Sequence, residues 1–279
     1  EITTPIANAG PEGTEFALQV DDQAASLWVY EGSVKFSNLQ GSLQLNPGEA
    51  AQALLGQAPH TQLDVKPLDA VQWALYYPAI IDPRVIEQQL PQALQATVRE
   101  SLEYYRQGNA FEALSALETL DQNTLSAQLL TYRAGLYLTL GRVAEARHDI
   151  AQALQLQPND SEAYALQAII AVVQNDKVAA LQLAEQAVNA DRTSPTARLA
   201  LSYAYQAHFQ IEEALASVEE ALRLDGKNAL VWARLSELQM STGYLDRALE
   251  SAQQAVSLNP NLGKTQTVLG FAHLLQIDT

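Results

Sequence analysis

Along the first quarter of the chain, apolar side chains alternate with polar ones. Phe16, Leu18 and Val20 form one series, Val34 and Phe36 a second, and Leu43 and Leu45 a third. A period of two is that of a strand with one buried face. Turn-forming residues stand between the series, at Asp21-Asp22, Glu31-Gly32, Gln40-Gly41 and Asn46-Pro47-Gly48. Five or six short strands at this spacing predict a small antiparallel sheet, sandwich or open barrel from Thr14 to about Lys66. After Pro67 the pattern becomes helical. Asp69 caps a short predicted helix through Trp73 and Tyr76, which Pro78 stops. Asp82-Pro83 is a second start signal, with a carboxylate at the N-cap and proline in the first helical position. From there to Thr279 alanine, leucine and glutamine dominate, and strand signals disappear.

A single spacing recurs throughout the helical region. Ala153, Ala187, Ala221 and Ala255 are evenly spaced, and Ala146, Ala180, Ala214 and Ala248 repeat with the same step. Ala134, Ala168, Ser202 and Ser236 form a third column of small residues at that step. Small side chains at a fixed period let helix backbones approach closely, so the columns predict a stack of helix pairs.

The period and these columns resemble tetratricopeptide repeats. The alanine, leucine and proline that close such a repeat occur as Ala153-Leu154-Gln155-Leu156-Gln157-Pro158, and similarly as Ala255-Val256-Ser257-Leu258-Asn259-Pro260. Arg192 and Gly226 take the proline position in the two middle copies. Larger first-helix positions follow the same register: Leu130, Tyr137, Tyr164, Leu201, Tyr205, Trp232 and Leu235. The expected architecture is a multidomain α and β chain, in which a small antiparallel β domain precedes an α-α superhelical solenoid. Residues 1–66 form the β domain, 67–93 linker helices, and 94–279 the array. Its full copies are 127–160, 161–194, 195–228 and 229–262. Residues 94–126 form a degenerate copy that keeps Tyr104, Gly108 and Ala113, and 263–279 an incomplete copy with Leu269-Gly270 in register. A lone first helix leaves an apolar face, so the array is expected to continue past Thr279 or to self-associate through that open end.

The strand region has a resemblance of its own. Thr3-Thr4-Pro5, Gly13-Thr14-Glu15-Phe16, Trp28-Val29-Tyr30-Glu31-Gly32-Ser33-Val34 and Leu45-Asn46-Pro47-Gly48-Glu49 occur in an order and spacing similar to the C-terminal portion of a FecR-type domain. The resemblance implies a bacterial extracytoplasmic domain, periplasmic or otherwise outside the cytoplasm. In that family it belongs to membrane-anchored regulators that relay an outer-membrane transport signal to a sigma factor. Neither a membrane helix nor a cytoplasmic anti-sigma segment is found within these residues, and the upstream portion of the domain is expected to precede Glu1. Turn chemistry alone accounts for Gly13, Gly32 and Gly48.

Charge narrows the partners. Against 16 Lys and Arg stand 32 Asp and Glu, a formal net charge of -16. Such a chain repels phosphate backbones and anionic lipid, which disfavours nucleic acid and membrane surfaces as partners. The longest nearly uncharged apolar run, Ala70 to Ile81, is too short to span a bilayer and contains Pro78. With no cysteine, disulfides, thiolate metal sites and cysteine nucleophiles are excluded. His60, His148, His208 and His273 are dispersed, and no zinc motif, glycine-rich phosphate loop or Gly-x-Ser-x-Gly elbow occurs. The expectation is therefore no enzyme, no metal and no cofactor.

What remains is binding. The family resemblance implies that the first helix of each repeat lines a concave groove. The candidate partner-binding residues there are Ile169, Val172, Leu199, Tyr203, Gln206, Met240 and Phe271. Lys264 is the one cation among the groove positions, too few for the Lys, Arg and Asn quartet that clamps a carboxylate in some relatives. An apolar stripe of this kind marks either a partner surface, fitted to an apolar or amphipathic protein segment, or a face covered by further repeats or a neighbouring molecule. Trp73, Tyr76 and Tyr77 either stack on a ligand or anchor the linker helix. The sequence thus predicts a non-enzymatic extracytoplasmic scaffold, with an envelope sensor as the alternative.

Overall fold

The computed structural model describes residues 2–46, 49–61, 77–82, 84, 94–121 and 124–276. The predicted helix of residues 69–76, with Trp73 and Tyr76, lies outside them, as does most of the helix started at Asp82. Two compact units are present, Glu1–Leu75 and Tyr76–Thr279.

Six antiparallel strands are found among the described residues of the first unit: β1 (Ile2–Thr3), β2 (Asn8–Val20), β3 (Ala24–Asn38), β4 (Gly41–Leu45), β5 (Ala50–Leu54) and β6 (His60–Thr61). Their order is β1-β2-β3-β5-β6, with β4 also paired to β3. The long β3 pairs β5 through residues 24–28 and β4 through residues 34–38. Two of the expected turns form as read. The Asp21 carboxylate accepts from the backbone N–H groups of Gln23 and Ala24, and the Asn38 side chain accepts from those of Gln40 and Gly41.

Glu31-Gly32 is not a turn. It lies inside β3, where Gly32 takes a φ of 74° and the register against β2 slips on either side of Glu15. This irregularity reverses the alternation. Ala25, Leu27 and Val29 are buried before it, Val34 and Phe36 after it, so odd positions give way to even ones on one core face. On β2 the same change separates Ala9 from Phe16 and Leu18. Leu45, Ala51 and Ala53 complete the cluster. Val20, read with the apolar series, ends its strand 40% exposed.

The second unit contains eleven described helices. They pair as α1 (Gln95–Arg106) with α2 (Ala110–Glu118), α3 (Ala127–Thr139) with α4 (Val143–Leu156), and α5 (Ser161–Val173) with α6 (Lys177–Ala190). Next come α7 (Pro195–Ala207) with α8 (Ile211–Leu224), α9 (Ala229–Ser241) with α10 (Leu245–Leu258), and last α11 (Gly263–Leu274). All twelve small residues of the three columns are fully buried. Polar contacts join the pairs too: Ser101 Oγ donates to the Ala113 carbonyl at 2.6 Å and Ser236 Oγ to that of Ala248 at 2.7 Å.

Helix boundaries recur with the same period. Ser126, Asp160, Ser194 and Asn228 cap α3, α5, α7 and α9 by accepting from first-turn N–H groups, as N-cap residues do. Gly108, Gly141, Asn175, Phe209 and Gly243 carry the turn inside each pair, all at positive φ. At Gly108 a further constraint acts, because a Cβ there would lie 2.5 Å from the Asn261 carbonyl oxygen. The turn of the first pair therefore meets the turn before α11, and the array curls round an interior.

Candidate functional site

That interior is lined by the first helix of each pair, and some of it is filled by the chain itself. Tyr77, Pro78, Ile80, Ile81 and Asp82 are buried although they belong to no helix or strand. Ile81 lies against α3 at Gly135, where its Cγ1 is 3.2 Å from the place a Cβ would take. A small crevice is bounded by Pro78 to Ile81 together with Tyr105, Tyr132, Leu136 and Leu166. Asp82 accepts from the backbone N–H of Arg84, the cap contact expected of it, and from the Arg84 guanidinium. The same guanidinium donates to Asp225, at the end of α8, at 2.7 Å.

Beyond Pro78 the inner face opens into a cleft of about 590 Å³. Val172, Tyr203, Gln206, Met240 and Phe271 all line it, so five of the seven residues singled out in the sequence are brought together. The other two are not. Ile169 and Leu199 are at most 1% exposed and belong to the packed core of their helices rather than to an open surface. Phe271 is the open anchor at 56% exposed, while Met240 packs partly against the core of the last pairs.

Tyr203 does something other than expected. Arg234 lies over its ring, 3.7 Å from the centroid, and its hydroxyl donates to Glu237 at 3.1 Å. Arg234 donates in turn to the Ser202 hydroxyl and carbonyl, to Gln206 and to Glu237. Lys264 also pairs with Glu237. Burial alone would raise the Glu237 carboxyl, but Lys264 and Arg234 outweigh it and hold the group below the usual carboxylate range. The floor of the cleft is thus a buried ionic network under an apolar rim of Val172, Met240, Phe271 and Leu275. Arg234 was missed in the sequence because it falls outside the expected groove column. A guanidinium stacked on an aromatic ring of the preceding repeat leaves no local pattern.

Other titratable groups are arranged for structure. Arg133 on α3 and Asp149 on α4 form a forked pair at 2.6 and 2.8 Å, both buried. Glu162, at the start of α5, is pushed up to about 7 by burial and by Asp160, Asp82 and Asp191. His60, His148 and His273 are exposed, and His208 contacts the Lys177 carbonyl. Among the described residues no group of three His, Asp or Glu side chains is placed to hold a metal, and no helix is long and apolar enough to cross a membrane.

Comparison with known proteins agrees with this geometry. Tetratricopeptide-repeat profiles match residues 98–161, 133–196 and 229–262. A thermophilic TPR protein from Thermus thermophilus is similar in structure, with a TM-score of 0.55 at 22% identity over 64% of this chain and 98% of that one. The Cut9–Hcn1 hetero-tetramer of the APC/C matches at a TM-score of 0.47 and 15% identity, over 64% of this chain and 36% of that one. MamA from Desulfovibrio magneticus matches at 0.39 and 19%, over 63% and 99%. No curated protein sequence matches the chain. The helical unit has the helix-pair solenoid fold of tetratricopeptide-repeat proteins and matches that family's profiles over these stretches, a fold consistent with a protein–protein interaction scaffold.

Proposed function

We propose that the chain is a non-enzymatic scaffold acting outside the bacterial cytoplasm, and that its array binds an apolar or amphipathic segment of a partner protein on the inner face. The observation that carries this reading is the open cleft, whose rim is apolar and whose charged floor groups are paired with one another. Apolar side chains entering such a cleft contribute roughly 1.5–3 kcal/mol each, so a few anchors reach micromolar affinity. The extracytoplasmic setting is supported by the FecR-like residues of the first unit, which also support the alternative of an envelope sensor.

Tyr203 is a poor residue to test, since a carboxylate there would face Glu237 and break the network. Phe271→Glu is the better probe, because an exposed site tolerates charge without loss of stability. Envelope proteins captured by the native chain should be lost from Phe271→Glu while its melting temperature is unchanged. Capture that persists in the variant places the partner site elsewhere.

A further inference from the structure

Residues 77–82 are the longest described stretch that is largely buried without belonging to a regular element of either unit. They lie where the proposed function places a partner, on the inner face, and they begin where the cleft ends, since Pro78 lines both the filled crevice and the open cleft.

The array is shaped to receive them. Gly135, Ile169, Tyr203, Glu237 and Phe271 occupy one column, one in each successive repeat, and only the first lacks a side chain. Glycine inside a helix is unfavourable relative to alanine, so its place there calls for a packing reason. Ile81 supplies it by packing so closely that its Cγ1 lies 3.2 Å from where a Cβ would stand. At the far end Arg84 bridges two carboxylates, pairing both with Asp82, two positions before it, and with Asp225 of the array. An apolar seat and a charged anchor are what a groove offers an extended peptide.

We propose that residues 77–82, anchored by Arg84, are an intramolecular ligand of the array, and that the partner is an extended peptide of the same chemistry which displaces them: two adjacent aliphatic residues, then an acid, then an arginine two positions on. This rests on the inner face being a peptide site and adds what that site selects. A tethered segment is present at an effective concentration on the order of millimolar, so it shields the seat from weak competitors and yields to stronger ones.

The test uses the whole chain and a fluorescent peptide with the sequence of positions 77–84. In the double variant Ile80→Asp/Ile81→Asp the resident segment should leave its seat, and the peptide should bind at least tenfold more tightly than to the native chain. Adding Gly135→Val to the double variant should abolish that gain. Equal binding to native and variant chains, or no binding to either, overturns the proposal. Loss of helical circular dichroism in the double variant also overturns it, since the segment would then be a fixed strap of the core. Each of these results leaves the Phe271→Glu comparison to stand or fall separately.

Discussion

Arg133 and Asp149 face each other across the second helix pair, joined by two hydrogen bonds and each 2% exposed. A pair taken so completely out of water has little net stabilising effect, yet removing one member strands a buried charge. Asp149→Ala should cost about 3–5 kcal/mol in chemical denaturation, whereas Arg133→Met combined with Asp149→Leu should lie close to the native chain. A mild loss in the single variant would show the pair to be wetter than its geometry indicates.

The closure of the array can be isolated by comparing two glycines. Gly108 and Gly243 have the same left-handed backbone, at φ 83° and 81°, but only Gly108 abuts another element. Alanine at either position strains the backbone by about 1–2 kcal/mol. Gly108→Ala should be clearly more destabilising than Gly243→Ala, because the added methyl also meets the Asn261 carbonyl. Equal losses would mean that the two turns are not in contact.

Phe209 occupies the corresponding position of the fourth pair at φ 61°, with 81% of its surface exposed. Its ring meets Lys177, 5.1 Å away, a contact worth about 0.5–1 kcal/mol at an exposed site. Relief of left-handed strain is somewhat larger. Phe209→Gly should therefore raise the melting temperature slightly, and a fall would show that the ring contact outweighs the strain.

Glu162 sets a pH dependence. Its carboxyl is raised from 4.5 to about 7 by burial, with Asp160, Asp82 and Asp191 adding to it. The folded chain therefore holds this proton where the unfolded chain has lost it. Its contribution to stability is complete below about pH 4.5 and is lost as pH rises through about 7, an effect on the order of 1–3 kcal/mol. Glu162→Gln should flatten stability over that window. A variant with the native slope would assign the effect to other groups.

The repeat columns were legible because close helix packing admits only small residues, and Ala187 and its equivalents carry that demand visibly. The bulge at Gly32 was not. Glycine beside an acid reads equally well as a turn, and only pairing with β2 distinguishes the two. Gly135 shares its column with Tyr203 and Phe271, but the meaning of its missing side chain depends on Ile81, which lies outside the repeats altogether. The run ending in Ile81 read as a linker because an apolar stretch does not say which surface it will cover. The network around Arg234 was hidden for the same reason, being assembled from three different repeats.

The account depends most on the inner face holding an extended segment, and thiol accessibility reads this directly in a chain that has no cysteine of its own. Ile81→Cys places a thiol at a site 6% exposed, and Leu39→Cys places a reference thiol at one fully exposed. Alkylation at position 81 should be slower by on the order of 100-fold, because the thiol reacts only when the segment leaves its seat. Equal rates at the two positions would show the seat to be empty and would contradict the account.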